Sequence, residues 1–244
     1  MARLESLRRS LADGRGTTIH VARFARATVD TRVVVLDPPE PLAEWCKDNG
    51  VADAMIGGFF IRSHGIPLGE LRVGGKPCAF VPFDAPWDQE RTCLHLNGEV
   101  RFGTRGELGD EPEGDVLQAG PLLVREGRSL VHPGADPEGF SAGARQFDSD
   151  ITAGRYPRAA LGLDGKDLIA AVCDGRTDED AGLTLDEMAE AMIDLGASDA
   201  INLDGGGSAS LVIDGILRNR PREAHGIDLG AGRPVSTALA FAEA

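Results

Sequence analysis

Cysteine is scarce in this chain and never closely paired: Cys46, Cys78, Cys93 and Cys173 stand far apart, with no Cys-x-x-Cys spacing. That excludes a zinc ribbon and a thioredoxin-like redox motif, and it predicts free, buried thiols. The five histidines, His20, His64, His95, His132 and His225, show no ligand spacing either, so surface or satisfied core positions are expected for them. No apolar run approaches the length that crosses a bilayer. Positive charge is in short supply: 25 Lys and Arg face 39 Asp and Glu, for a formal net charge of -14. That sign argues against nucleic acid or an anionic membrane as a partner. The first ten residues carry Arg3, Arg8 and Arg9 around Leu4 and Leu7 without the apolar core of a signal peptide, so a cytoplasmic location is expected of the chain as given. Internal repeats and low-complexity tracts are missing too.

What is present describes one folded domain over residues 1–244. That length suits a single core, since cores stop growing near roughly 250 residues, and 42% hydrophobic with 26% charged residues is ordinary for a folded protein. Thr17 to Phe24 and Arg32 to Leu36 read as strands, the second closed by Pro38-Pro39. A short helix is predicted from Pro41 to Asn49, with Gly50 as its stop. Met55 to Ile61 reads as an apolar strand in which Gly57-Gly58 marks the close approach of a ligand or another backbone. Asn97-Gly98 joins Thr92–Leu96 to Glu99–Phe102 as a hairpin. Gly103 to Asp115 and His132 to Phe147, rich in Gly, Pro and acidic residues, read as mobile loops.

The second half is denser in signals. Leu168 to Cys173 is an apolar strand ending in Asp174-Gly175-Arg176. Thr184 and Glu187 form a capping box that opens a helix running to about Leu195, with Gly196 as its stop. Leu211–Ile213 and Ile216–Arg218 flank an Asp214-Gly215 turn, and Val235 to Phe241 is the last strand. Many strands with few helices, in no strict alternation, predict an α+β domain on a mixed, largely antiparallel sheet with a few packed helices.

Between the strands Ala200–Leu203 and Ala209–Ile213 lies Asn202-Leu203-Asp204-Gly205-Gly206-Gly207-Ser208. Three glycines can take φ > 0 and bring their N–H groups against a ligand, with the Asp204 carboxylate and the Ser208 hydroxyl beside them. Taken alone, the stretch could also be a tight turn whose Asp and Ser bond only to nearby backbone. Its companions are Pro157-Arg158, Asp174-Gly175-Arg176, Gly182-Leu183-Thr184 and Arg233-Pro234-Val235-Ser236-Thr237. This set, in this order, resembles the phosphodiester glycosidase family. The likeness is fullest from about residue 120 to 241 and thinner before, where Gly57-Gly58-Phe59-Phe60 and Gly120-Pro121-Leu122-Leu123-Val124 are the recognisable parts. The chain departs from the family at Ile56, where an Asn usually precedes the two glycines.

The resemblance implies hydrolysis of a sugar linked through its anomeric carbon to a phosphodiester or related glycosyl phosphate, with a small-molecule or glycan phosphodiester as substrate. A phosphate needs charge stabilisation to leave more than it needs a proton. Arg158 and the backbone N–H groups of Gly205, Gly206, Gly207 and Ser208 are therefore expected to hold the phosphate, with Arg176, Arg233 and Thr237 as further binding residues. Asp204 is assigned as nucleophile or base, Asn202 as the residue orienting sugar or carboxylate, and Asp174 as the second carboxylate. Plainer roles stay open: Arg158 could pair with Asp174 or Asp204, Asp174-Gly175 could be a simple turn, and Thr237 is a natural strand residue. No cofactor is expected. A divalent cation enters only under an alternative, a metal-dependent phosphodiesterase using Asp174, Asp178, Glu179, Asp180 and Asp204. A second alternative is a sugar- or phosphate-binding module without chemistry, suggested by Ile56. The sequence leaves the oligomeric state open.

Overall fold

The hairpin of strands Arg158–Leu163 and Asp167–Cys173 has hydrocarbon on both of its faces, and the rest of the architecture follows from that. Ala159, Leu161, Leu168, Ala170 and Val172 face one core, while Ala160, Ile169, Ala171 and Cys173 face another. A strand buried on both sides has no polar alternation to display, which is why Leu168–Cys173 reads as an unbroken apolar run. The computed structural model describes residues 2–132, 136, 138–141 and 153–244.

Among these, the hairpin is the middle of a seven-stranded sheet. One side of it is extended by Gly16–Ala25 and Arg3–Ser10, the other by Asp199–Asn202, Leu122–Arg125 and Arg128–Ser129. A five-stranded sheet, ordered Ile216–Leu217, Leu211–Ile213, Asp53–Ile56, Pro234–Glu243 and Val29–Pro41, contributes Met55, Ile56, Leu211, Val212 and Leu239 to the first core. The helix Leu185–Asp194 covers the opposite face with Met188, Ala189 and Met192. Its capping box forms as expected, and Thr184 accepts the Glu187 N–H, a cap that typically contributes about 1 kcal/mol. A second five-stranded sheet comprises Val100–Thr104, Thr92–Leu96, Asp115–Gln118, Leu71–Val73 and Lys76–Pro77. Among the described residues every pairing of named strands is antiparallel, and one isolated bridge, Leu68 with Val81, is parallel. The architecture is the α+β one that the pattern implied.

Several local expectations change. Pro38-Pro39 does not close its strand, which runs from Val29 to Pro41 and sets Glu40 opposite Val235. The expected strand Met55–Ile61 breaks at Gly57-Gly58 into Asp53–Ile56 and Phe60–Ile61. The loop Gly103 to Asp115 is pinned rather than mobile, because the buried Arg105 pairs with Glu70 and the Asp115 carboxylate accepts the Val33 and Gly74 N–H groups. Much of the loop His132 to Phe147 lies outside the described residues. Its described part is anchored by Glu138, whose carboxylate accepts the Thr92 N–H and hydroxyl and the Leu122 N–H. Arg3–Ser10, assigned no element from sequence, is an exposed strand paired along its length with Gly16–Ala25. Its arginines reach Asp167, Asp180 and Asp194.

Cys46, Cys93 and Cys173 are buried free thiols, as expected, and Cys78 is half-buried. Among the described residues no helix is long and apolar enough to cross a membrane.

Candidate active site

The triple-glycine bend follows directly from the strand Asp199–Asn202. The ladder that sets Ala160 opposite Asn202 continues past the strand end, with Leu203 N–H on Ala159 O at 2.9 Å and Gly206 N–H on Pro157 O at 2.8 Å. Arg158 is thereby brought level with Asp204, and a Cβ on Gly205 would lie 3.7 Å from the Arg158 Cα. The three glycines are needed for different reasons. Gly206 has φ 60, which favours glycine. Gly205 has no room for a side chain, since an added Cβ would stand 2.8 Å from Pro157 O, and a Cβ on Gly207 would press on the movable end of Arg233, whose Nη2 would be 2.9 Å away.

The bend presents fewer amides than the sequence suggests. Gly205 N–H donates to Asp204 Oδ1 at 2.9 Å, Gly206 N–H to Pro157 O, and Ser208 N–H to Gly205 O at 3.1 Å. Gly207 N–H is the one donor of the four without a protein acceptor among the described residues. The expected four-amide cradle is therefore corrected to one amide, because the Asp204 side chain, the Pro157 carbonyl and a short helical turn consume the others.

Guanidiniums supply the positive charge instead. A Cβ on Gly206 would meet Arg176 Nη2 at 3.3 Å, and Arg176 adopts φ 69, a strained conformation for a residue with a Cβ. Its Nη1 donates to Arg222 O at 2.9 Å and pairs with Glu223 Oε1 at 3.3 Å. Arg233 pairs with Glu223 Oε2. Arg62, exposed on the turn after Phe60–Ile61, faces both Asp204 and Glu223 closely enough to favour their ionised forms. Burial raises the Asp204 carboxyl to about 6, against the opposing pull of Ser208, the Gly205 N–H, Arg233 and Arg62. Asp204 nonetheless keeps part of its surface open. Burial would also raise Glu223, but Arg233, Arg62 and Arg176 outweigh it and hold that carboxyl below its ordinary value. Two carboxylates with environments that push them apart, beside three guanidiniums, form a site able to bind an anion and exchange a proton.

The other sequence-assigned residues are placed differently. The Arg158 guanidinium turns to Leu183 O at 2.8 Å and Gly154 O at 3.3 Å, and it shares the Tyr156 ring with Arg176. Neither Asp174 nor Asp204 is its partner in these contacts. Asp174 accepts the Arg220 N–H at 2.6 Å and meets His20 Nε2 at 2.9 Å. Its carboxylate holds two segments together. Asn202 is buried, with Nδ2 on Gly120 O and Leu203 O, and it braces the strand end. Thr237 accepts the Gly58 N–H at 3.0 Å, which makes it a strut for the Gly57-Gly58 break. Ser208 lies beside Asp204, although its hydroxyl completes no hydrogen bond of standard geometry among the described residues. Ile56 is fully buried in the main core, so the departure from the family's Asn falls on a packing position. The acids proposed for a metal do not converge: Asp180 is occupied by Thr18 and Arg8, and no three His, Cys, Asp or Glu side chains gather as ligands among the described residues.

Arg62 and Glu223 were missed from sequence. Arg62 sits next to the recognised Gly57-Gly58-Phe59-Phe60 piece. Glu223 lies in an irregular stretch, Arg218 to Gly232, with no spacing signal of its own.

The bend joins an acidic side chain, an amide without a protein acceptor among the described residues and several guanidiniums, an arrangement suited to an anion. The chain belongs to the phosphodiester glycosidase family, whose model matches residues 49–242, a wider match than the motifs alone suggested. It is 46% identical over 179 residues to the N-acetylglucosamine-1-phosphodiester alpha-N-acetylglucosaminidase of Mus musculus, covering 71% of this chain and 34% of that protein. The Homo sapiens enzyme of the same name is 45% identical over 183 residues, covering 70% and 33%. The chain thus spans about a third of the length of these relatives. Among solved structures, the catalytic domain of the zebrafish enzyme, auto-inhibited by its pro-peptide, superposes with a TM-score of 0.75 at 21% identity, over 100% of this chain and 83% of that one. A hypothetical protein from Synechocystis superposes at 0.73 and 17% identity, over 98% and 61%. These two likenesses establish a shared fold.

Proposed function

We propose that the chain hydrolyses the glycosidic bond of a sugar linked through its anomeric carbon to a phosphodiester, the linkage in the name of its mammalian relatives. The observation that carries this reading is the position of Asp204, a carboxylate with its pKa raised to about 6, beside Arg233 and Arg62 and at the base of a bend whose Gly206 faces Arg176. Arg176, Arg233 and Arg62, with the Gly207 N–H, seat the phosphate and stabilise the charge that develops as it departs. Asp204, in its ionised form, attacks the anomeric carbon or takes a proton from the attacking water. Asn202 and Thr237 act one step back, keeping the bend and the Gly57-Gly58 break in register. The reading requires no metal.

The test is an assay of the full chain with a panel of glycosyl phosphodiesters, alongside Asp204→Ala and a chelator. Release of free sugar that persists with chelator and disappears in Asp204→Ala is expected. Chelator-sensitive turnover would favour the metal-dependent phosphodiesterase instead. Tight ligand binding without sugar release would favour a binding module.

A further inference from the structure

A carboxylate such as Glu223 is oddly placed in a site whose only duty is binding an anion. Its two oxygens are shared between the guanidiniums assigned to the phosphate, Oε1 with Arg176 and Oε2 with Arg233. It also leans on the bend, since a Cβ on Gly207 would lie 3.1 Å from Oε2. Arg62 faces it as well. The Arg176 and Arg233 side chains are largely enclosed, 9% and 13% exposed, while Glu223 is 31% exposed. The anion seat therefore already contains a negative charge before any ligand arrives.

We propose that Glu223 is a specificity-determining residue that sets the site to accept a singly charged phosphodiester and to reject a doubly charged phosphomonoester. This rests on the reading of the site as a glycosyl phosphodiester hydrolase. With Asp204 and Glu223 both ionised, the guanidiniums of Arg62, Arg176 and Arg233 leave one net positive charge among these named groups. One phosphodiester charge neutralises it. A second charge on the ligand is left facing Glu223 at short range, in a partly enclosed site where like charges repel more strongly than in water. Selectivity of this kind comes from a repulsive contact against the wrong ligand as much as from attraction to the right one.

The reaction itself turns one ligand into the other. Water oxygen bonds to the anomeric carbon, the bond from that carbon to the phosphate oxygen breaks, and its electron pair stays with the phosphate. One proton of the water is released to the base. The products are the free sugar and a phosphomonoester whose second ionisation lies near ~6. Above that pH the product carries an extra negative charge where the substrate had none, and Glu223 drives it out.

Calorimetric titration of the full chain at about pH 8 tests this with dimethyl phosphate, which carries one charge, and methyl phosphate, which there carries nearly two. The wild-type chain is expected to bind dimethyl phosphate about tenfold more tightly than methyl phosphate. Glu223→Gln should tighten methyl phosphate by about tenfold while moving dimethyl phosphate by less than about threefold, and Glu223→Asp should keep the wild-type order. Glu223→Gln weakening both ligands, or leaving the monoester affinity unchanged, overturns the proposal. A wild-type chain that binds neither ligand overturns the phosphate reading of the site along with it. Retained diester binding with no gain for the monoester in Glu223→Gln removes only the role given to Glu223.

Discussion

The Asp204 N–H donates to the Gly57 carbonyl at 3.1 Å, so the acidic residue of the glycine bend is held by the break in a strand from the first quarter of the chain. The same break is fixed on its other side by Thr237, which takes the Gly58 N–H, and by Gly57 N–H on Thr237 O. Three distant segments thus meet in main-chain contacts that fix the direction of the Asp204 carboxylate.

That carboxylate governs the first prediction. Activity that needs ionised Asp204 rises with pH to a plateau above about 6, and Asp204→Asn should lower kcat by about 10²–10⁴-fold. Stability moves the other way. A carboxyl that is raised on folding ionises first in the unfolded chain, so between its ordinary value near ~4 and about 6 the folded state holds more protons and stability falls as pH rises. Chemical denaturation of wild type against Asp204→Asn across that window should show the wild type losing ground as pH increases.

Arg233 bears on binding more than on folding. Arg233→Met removes a guanidinium from the bend and from Glu223, and charged hydrogen bonds of this kind contribute about 1.5–3 kcal/mol. A rise of about ten- to a hundredfold in KM for a glycosyl phosphodiester is expected, with the circular dichroism spectrum unchanged. An unaltered KM would remove Arg233 from the anion seat.

The glycines of the bend should separate by mechanism. Gly206→Ala places a Cβ on φ 60 and should cost about 1–2 kcal/mol of stability through backbone strain. Gly207→Ala instead drives a methyl group toward Arg233 and Leu229, each at 2.9 Å. Those atoms end flexible side chains that can give way, so the stability cost should be no more than about 1 kcal/mol, the low end for overpacking, while the displaced Arg233 makes the loss of turnover exceed that of Gly206→Ala. Thermal unfolding and steady-state kinetics on the two variants distinguish these effects.

Away from the site, Arg105 and Glu70 account for the order of a segment that composition marks as loose. Burial would raise Glu70, but the Arg105 and Arg72 guanidiniums outweigh it and hold its carboxyl below its ordinary value. Its contribution to stability is complete above the ordinary glutamate value near ~4.3 and is lost as pH falls through the lower folded one. Arg105→Leu should destabilise the chain by about 1.5 kcal/mol at neutral pH, since it removes one of the two guanidiniums on Glu70 and leaves Arg72 as the carboxylate's partner. Part of the acid-side slope in a pH series of unfolding should vanish with it.

Local signals were sufficient for much of this protein. The capping box at Thr184, the Asn97-Gly98 and Asp214-Gly215 hairpins, and the apolar run into Cys173 each depend on a few neighbouring residues, and each forms where its pattern stands. The glycine bend was found for the same reason, because glycine requirements are written in consecutive positions. What escaped depends on residues far apart in the chain: the strand continuing past Pro38-Pro39 because Pro234–Glu243 lies beside it, the Gly103–Asp115 segment pinned by Glu70, and the turning of the Arg158 guanidinium to Leu183 O and Gly154 O.

The order and chemistry of the motifs, the α+β class and the family were thus set by the sequence alone, since close spacing and residue type carry that information. Which arginines reach the bend, that Glu223 shares Arg233 and Arg62 with Asp204, and that Ile56 belongs to the core were decided only by tertiary structure. Side-chain partners across a sheet sandwich are chosen by how the layers stack, and no local pattern encodes that stacking.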